Sequence, residues 1–163
     1  MFLDALVEYP AKIIQAIGKD VMIMSLLADN PKIDIESEEA DDIFDKSLFD
    51  YGYVDNTTAE AGAYICVEAE VPNVSTRTIQ DYRLYVSIIC HKEFMKLNVN
   101  KFLGTLGNRR DNLVRRVDNI ISGTSLLGIG FLTLESLKTI SSPPGFSARE
   151  LTYSISDFKG KRT

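Results

Sequence analysis

Histidine, cysteine and tryptophan are scarce in this chain: it has one histidine, two cysteines and no tryptophan. So few soft ligands make a metal site improbable on composition alone. Cys66 and Cys90 each lie inside an apolar run, which predicts buried, reduced thiols and not a disulfide framework. No apolar run reaches the roughly 18 residues of a membrane-spanning helix. Asp4 stands where a signal peptide carries positive charge. We therefore expect a cytosolic protein with no membrane contact.

Catalytic and phosphate-binding motifs are also missing from the sequence. Residues 128–130 read Gly-Ile-Gly, a fragment that predicts a turn and not a phosphate cradle. His91 ends a predicted strand, and no serine stands in a GxSxG context that would make it a catalytic base. Glu68 and Glu70 share a strand face, which favours a solvated surface over a glycosidase pair. We predict no enzymatic activity and no metal or cofactor.

Charge is unevenly distributed along the chain, whose net charge is −5. Residues 1–70 hold 16 acidic and 4 basic side chains, whereas residues 71–163 hold 7 acidic and 14 basic side chains. Opposite-sign halves could attract copies of the chain, or two different partners. Alternatively, the two halves mix on one folded surface. Overall acidity is unfavourable for nucleic-acid binding, and we expect no direct readout of bases.

Hydrophobic periodicity predicts one α+β domain spanning residues 1–163, with a four-stranded, mainly antiparallel sheet flanked by two helices. The predicted order is helix 10–28, strands 64–71 and 81–91, helix 109–122, and strands 131–140 and 149–158. Residues 36–62 form an acidic and aromatic insertion or arm, in which the acidic segment 36–42 is expected to be a solvated loop. A long loop is expected at 92–107, and residues 159–163 should fray.

Two groups of side chains are candidates for contacts with other proteins. The first is a set of arginines expected on the outer faces of helix 109–122, where a solvated or protein-binding face is favoured over phosphate contact: Arg109, Arg110, Arg115 and Arg116. The second is an aromatic set for which core packing and subunit contact are both open: Phe49, Tyr51 and Tyr53.

The element order and four local segments resemble the phage tail terminator family, which completes the tail and joins it to the head. The segments are a helix ending at Asn30-Pro31, the strand LYVSIICH at 84–91, the helix NRRDNLVRRVDNIISG at 108–123, and the closing strand YSISDF at 153–158. Similar proteins have a strand that runs into a histidine, then a long loop, an Arg- and Asp-rich helix and a terminal hairpin.

This resemblance implies a non-enzymatic virion protein that forms a hexameric ring on the tail tube, ends tube polymerisation and binds the head connector. Its implied partners are copies of itself, the tube protein, neck proteins and, in a contractile particle, the sheath. It implies location in the host bacterial cytoplasm during assembly and then in the virion neck. Loops 54–63 and 92–107 are the expected contact segments, the second including Lys92, Phe94 and Lys101. Two alternatives stay open: another neck protein of the head-closure or adaptor type, and a small cytosolic regulatory or ligand-binding domain.

Overall fold

The computed structural model describes residues 2–52, 61–73, 79–128 and 130–158. Their helices are α1 (Ala5–Gly18), α2 (Val21–Ala28), α3 (Glu38–Ser47) and α4 (Arg109–Ile121). Their strands are β1 (Leu48–Phe49), β2 (Ala63–Asn73), β3 (Ile79–His91), β4 (Thr133–Ile140) and β5 (Phe146–Phe158). Short 3-10 turns occupy Phe2–Asp4 and Lys92–Phe94. The Tyr53 contact prediction, most of loop 54–63 and the predicted fraying of 159–163 fall outside the described residues.

The sheet is five-stranded and open, in the order β1-β2-β3-β5-β4. The α+β class is thus confirmed, but the four-stranded sheet of the sequence analysis is corrected to five strands. The added strand is β1, which pairs in parallel with β2 through Leu48 opposite Ile65 and Phe49 opposite Cys66. The other three pairings are antiparallel. β1 escapes periodicity because two residues are too few to show alternation.

Alternation along the strands decides which face of the sheet the helices cover. In β3, Leu84, Val86 and Ile88 are fully buried on one face, because side chains at i and i+2 point the same way. They join the main core with helix residues such as Ile17 and Leu113, which are also fully buried. The opposite face holds a smaller cluster of Tyr64, Cys66, Ile89 and Ala148. The described helices therefore pack on one side of the sheet, as the pattern predicts.

The predicted single helix 10–28 is two helices, α1 and α2, that break at Lys19-Asp20. Asp20 has an extended backbone, and its carboxylate accepts a 3.0 Å hydrogen bond from the N–H of Ile23. This is an N-cap, which satisfies a donor that α2 would otherwise leave unpaired. The continuous apolar pattern hid the break, because both helices bury their apolar residues in the same core.

The acidic side chains of residues 36–42 are exposed to solvent, as predicted. The prediction that the segment is a loop is wrong, because it contains the start of α3. Ser37 caps the helix by accepting a hydrogen bond from the N–H of Ala40, at 3.3 Å. Carboxylates at Glu38, Glu39 and Asp41 occupy the first turn, where the helix dipole favours negative charge. The acidic run is therefore consistent with a helix start and does not require disorder.

Close packing fixes α3 against α1. A Cβ added at Gly18 would lie 2.5 Å from Cε2 of Phe44, so only glycine leaves room for that ring. Phe44 and Ile43 are half-buried and pack against the main core. The aromatic part of the predicted arm thus docks on the body of the protein, as one of the two sequence interpretations expected.

Candidate protein-interaction site

Arg109, the first residue of α4, is buried, with 2% of its side chain exposed. The prediction that it lies on an outer face is therefore wrong. Its guanidinium donates to the carbonyl oxygens of Leu26 and of Phe94 (2.8 Å to the latter) and to Oδ1 of Asp29 at 2.8 Å. It also lies 3.7 Å above the Phe94 ring, in cation–π geometry. Carbonyls, carboxylate and ring together compensate a buried charge that would otherwise be costly.

Arg110 is also buried, contrary to the outward position predicted for it. Its Nε lies 3.0 Å from Oδ1 of Asp111, and it donates a further hydrogen bond to Ser147. Cations at a helix N-terminus oppose the dipole, so two arginines in the first turn of α4 already signal a need for acceptors. That signal was available in the sequence and was missed.

Of the four predicted arginines, Arg115 is exposed and Arg116 is partly exposed. Arg115 donates to Oδ1 of Asn112 at 2.8 Å. Arg116 binds the N-cap Asp20 through two nitrogens, the shortest contact being 2.7 Å. Together with Asp29, which pairs with Arg109 and Lys101, these contacts join the acidic and the basic half of the chain. The two halves therefore mix in part, although between described residues no ion pair involves the α3 carboxylates.

The segment 95–107, here called the Arg109 loop, is fastened to the body at several points. The N–H of Arg109 donates to the carbonyl of Met95 at 2.8 Å, and Nδ2 of Asn112 donates to that of Leu106 at 2.8 Å. Phe102 is buried, and Lys101 lies 2.9 Å from Oδ2 of Asp29. These anchors give the loop one defined conformation, because both its ends and its middle are tied to α2 and α4.

Asp29 is the acceptor that connects the loop, α2 and α4. Partial burial opposes its ionisation, but the hydrogen bonds from Lys101 and Arg109 outweigh that effect, so the pKa of Asp29 lies below its ordinary value. Its backbone is left-handed, with φ of 54°, which an aspartate tolerates better than most residues. The carboxylate therefore stays ionised beside its two cations.

Three aliphatic side chains are exposed on the Arg109 loop, among the exposed polar residues Lys96, Asn98, Asn100 and Lys101. Val99, Leu103 and Leu106 expose 71%, 81% and 88% of their surface. Single exposed aliphatic residues are ordinary. Three within eight positions, on a loop that is anchored by a buried arginine, are characteristic of a surface that another protein covers.

An open groove of about 840 Å3 lies beside the Arg109 loop. Its apolar lining comes from Val21, Met22, Pro31, Phe102 and Leu103. The charged lining residues are Lys19, Asp20, Lys32, Lys101 and Arg116. Arg116 pairs with Asp20 and Lys101 pairs with Asp29, which leaves the positive charges of Lys19 and Lys32 in excess. The groove therefore suits a segment that is apolar with some negative charge.

The remaining predicted contact residues differ in their exposure. Lys92 is exposed, Lys101 is exposed at the groove, and Phe94 is half-buried beneath Arg109. Phe49 packs with Tyr64 in the smaller cluster, whereas Tyr51 keeps 46% of its surface exposed. Phe49 and Tyr51 are in ring contact at 5.4 Å. The structure therefore brings Phe94 and Lys101 near Arg109.

Other reactive side chains have structural partners. Nδ1 of His91 accepts a hydrogen bond from the N–H of Glu93 at 3.2 Å, and its ring packs edge-on against Phe146. Glu68 accepts from the N–H of Gly52 at 2.6 Å, and Glu70 accepts from the hydroxyl of Tyr85 at 2.9 Å. Within the described part of the chain, no group of three or more His, Cys, Asp or Glu side chains could hold a metal ion.

The two cysteines lie on opposite faces of the sheet. Cys66 is opposite Ser87 and belongs to the smaller cluster, whereas Cys90 is opposite Ala63 and belongs to the main core. Burial raises the pKa of Cys66 to about 12 and that of Cys90 to about 11. Both are free thiols, which agrees with the predicted buried, reduced state.

Comparisons with known proteins add a family. Among the helices of the described residues, none combines the length and apolarity needed to cross a membrane. No curated protein matches the chain. A family model described as YomW matches residues 20–155, which include the Arg109 loop, the whole of α4 and the groove lining apart from Lys19. The chain therefore belongs to the YomW family, a phage-associated family named after a phage-derived gene product.

Proposed function

We propose that this protein is a structural subunit of a phage tail, which assembles into a ring on the tail tube, ends tube polymerisation and joins the tail to the head connector. The observation that carries the proposal is the Arg109 loop, a fixed segment that exposes three aliphatic side chains. The phage-associated family is consistent with it. So is the resemblance in element order to tail terminators.

The energetics of the loop support a role in assembly. Burying a Leu or Val side chain contributes about 1.5–3 kcal/mol, so Val99, Leu103 and Leu106 could supply several kcal/mol to an interface. Because the loop is already ordered by Arg109, association costs little further conformational entropy. A pre-formed apolar loop thus suits a subunit that must dock at a fixed position on a growing cylinder.

Tail length tests the function. Deleting the gene from the phage that encodes it should give overlong tubes and unjoined heads in electron micrographs, and complementation with the parent protein should restore normal particles. Complementation with Leu103→Glu should fail, whereas Phe131→Glu, a control at a residue that is 70% exposed and away from the loop, should succeed. Tails of normal length without the protein would refute the proposal and favour another neck protein.

A further inference from the structure

The N-terminal end of α1 extends an apolar stripe beyond the body of the protein. Pro10, Ile14 and Ile17 form a buried stripe at spacings of three and four residues. The same spacing continues backwards through Val7, Leu6 and Leu3, but these side chains expose 74%, 40% and 45% of their surface. The first turns therefore present a helical apolar face that this chain does not cover.

Charge makes this helix end complementary to the groove. Asp4 and Glu8 flank the exposed stripe, and the nearest cation of α1 is Lys12, which lies 4.0 Å from Glu8. In the groove, Arg116 and Lys101 are paired with Asp20 and Asp29, and the lysines Lys19 and Lys32 supply the excess positive charge. An amphipathic helix laid into an apolar groove is a common mode of recognition between proteins.

The two surfaces lie at opposite ends of one helix, so a chain cannot fill its own groove. Val7 belongs to the exposed stripe, and the groove begins at Lys19, just after Gly18 ends α1. At 1.5 Å per residue, the 11 residues from Val7 to Gly18 separate the stripe from the groove by roughly 17 Å. Two complementary surfaces at opposite ends of a subunit generate a head-to-tail interface between copies.

We propose that the groove beside the Arg109 loop binds the N-terminal end of α1 from a second copy of this chain. Val7 and Leu6 of one copy contact Leu103 and Val21 of the next, and Glu8 faces Lys19 and Lys32 of the groove. The interface deepens the proposed function and rests on it, because a head-to-tail contact that closes after a fixed rotation makes a ring.

The test uses two full-length variants that each damage one surface. Leu103→Glu places a carboxylate at the groove, and Val7→Glu places one on the helix end. Both positions are exposed, so the fold should survive, as circular dichroism can check. In analytical ultracentrifugation the parent should form larger species as its concentration rises. Each variant should remain monomeric, with a dissociation constant raised by about 30-fold or more, since a buried unpaired charge is costly.

An equimolar mixture of the variants separates this interface from the alternatives. The Leu103→Glu chain keeps its helix end and the Val7→Glu chain keeps its groove, so the mixture should give dimers and no larger species. A mixture that stays monomeric would overturn the proposal, because it indicates a symmetric contact between like surfaces. A different result would also overturn the proposal: Val7→Glu assembles like the parent, but a double variant Asp41→Lys/Asp42→Lys does not assemble. That result would indicate that the groove binds α3 of the second copy.

Cross-linking captures a contact that is too weak to sediment. Val7→Cys chains mixed with Leu103→Cys chains should form a disulfide-linked heterodimer under mild oxidation, whereas Val7→Cys with Phe131→Cys should not. A monomeric parent combined with no cross-link would overturn the proposal. Tail length in the deletion phage is a separate readout. If the deletion gives overlong tails but the interface is not found, the proposed function stands and the interface is refuted. If the interface is found but the deletion leaves tail length normal, the interface stands and the proposed function is refuted.

Discussion

Replacing Arg109 with methionine should destabilise the protein strongly. Methionine has a similar length but carries no donors, so the carbonyls of Leu26 and Phe94 lose their hydrogen bonds inside the structure. Each buried acceptor left without a partner costs about 1–3 kcal/mol. The side chain of Asp29 is 38% exposed and keeps its ion pair with Lys101. Loss of the ion pair between Asp29 and Arg109 is therefore screened by solvent and costs at most about 1 kcal/mol. The expected total is about 3–5 kcal/mol.

Urea unfolding followed by far-ultraviolet circular dichroism measures this loss. Arg115→Met is the matched control, because Arg115 is exposed and lies on the same helix; its effect should stay within about 0.5 kcal/mol. For a chain of this length, each kcal/mol lowers the melting temperature by about 2–4 °C. The Arg109→Met protein should therefore melt at least about 6 °C below the control.

Limited proteolysis supplies a second readout. If Arg109 holds the loop, trypsin should cleave after Lys101 faster in Arg109→Met than in Arg115→Met, under conditions where both proteins stay folded. An Arg109→Met protein within about 1 kcal/mol of the parent, with unchanged cleavage at Lys101, would refute the role assigned to this arginine.

Three further predictions concern pH, thiols and packing. Because the pKa of Asp29 is lowered in the folded state, the ionised carboxylate should stabilise the protein above pH 3.8, the ordinary pKa of the group, and this stabilisation should be lost as the pH falls. Asp29→Asn should therefore be less stable than the parent at neutral pH and lose less stability on acidification, as parallel urea titrations can check. Burial raises the pKa of Cys66 and of Cys90, so neither thiol should react with iodoacetamide in the folded protein at mildly alkaline pH, and both should react in urea, by mass spectrometry. Gly18→Ala should cost about 1–3 kcal/mol of stability by displacing Phe44, and Phe44→Leu in the same chain should recover part of that loss; equal stability of Gly18→Ala and parent would contradict the packing.

Strong periodicity made much of the fold predictable. Strands β3 and β5 and helix α4 were located nearly to their ends, because each alternates or repeats over more than ten residues and each is capped or bounded by turn chemistry. Asn108 caps α4 by accepting a hydrogen bond from the N–H of Asp111 at 2.8 Å. Gly123 ends the following turn with φ of 71°, a left-handed position of the kind glycine takes after a helix.

Side-chain burial was harder to predict than element position. A pattern of arginines on a helix gives their spacing but not the acceptors that meet them. Two of the three acceptors of Arg109 lie on and just after α2, about 80 residues away in sequence. The acidic run at 36–42 was misinterpreted for a related reason, since charge alone predicts solvation while the Ser37 cap predicts a helix start. In both cases long-range or capping contacts decided the outcome, and composition did not.

The long sequence separation of the Arg109 contacts has a consequence for biosynthesis. Leu26 and Asp29 leave the ribosome 83 and 80 residues before Arg109, so the loop can take its final shape only after two distant helices have met. Contacts of such separation form late, since they carry the loop-closure entropy of the whole intervening chain. The aliphatic side chains of the loop are therefore displayed in their ordered arrangement only after both helices have been made and have packed together, which would delay the proposed assembly until the subunit has folded.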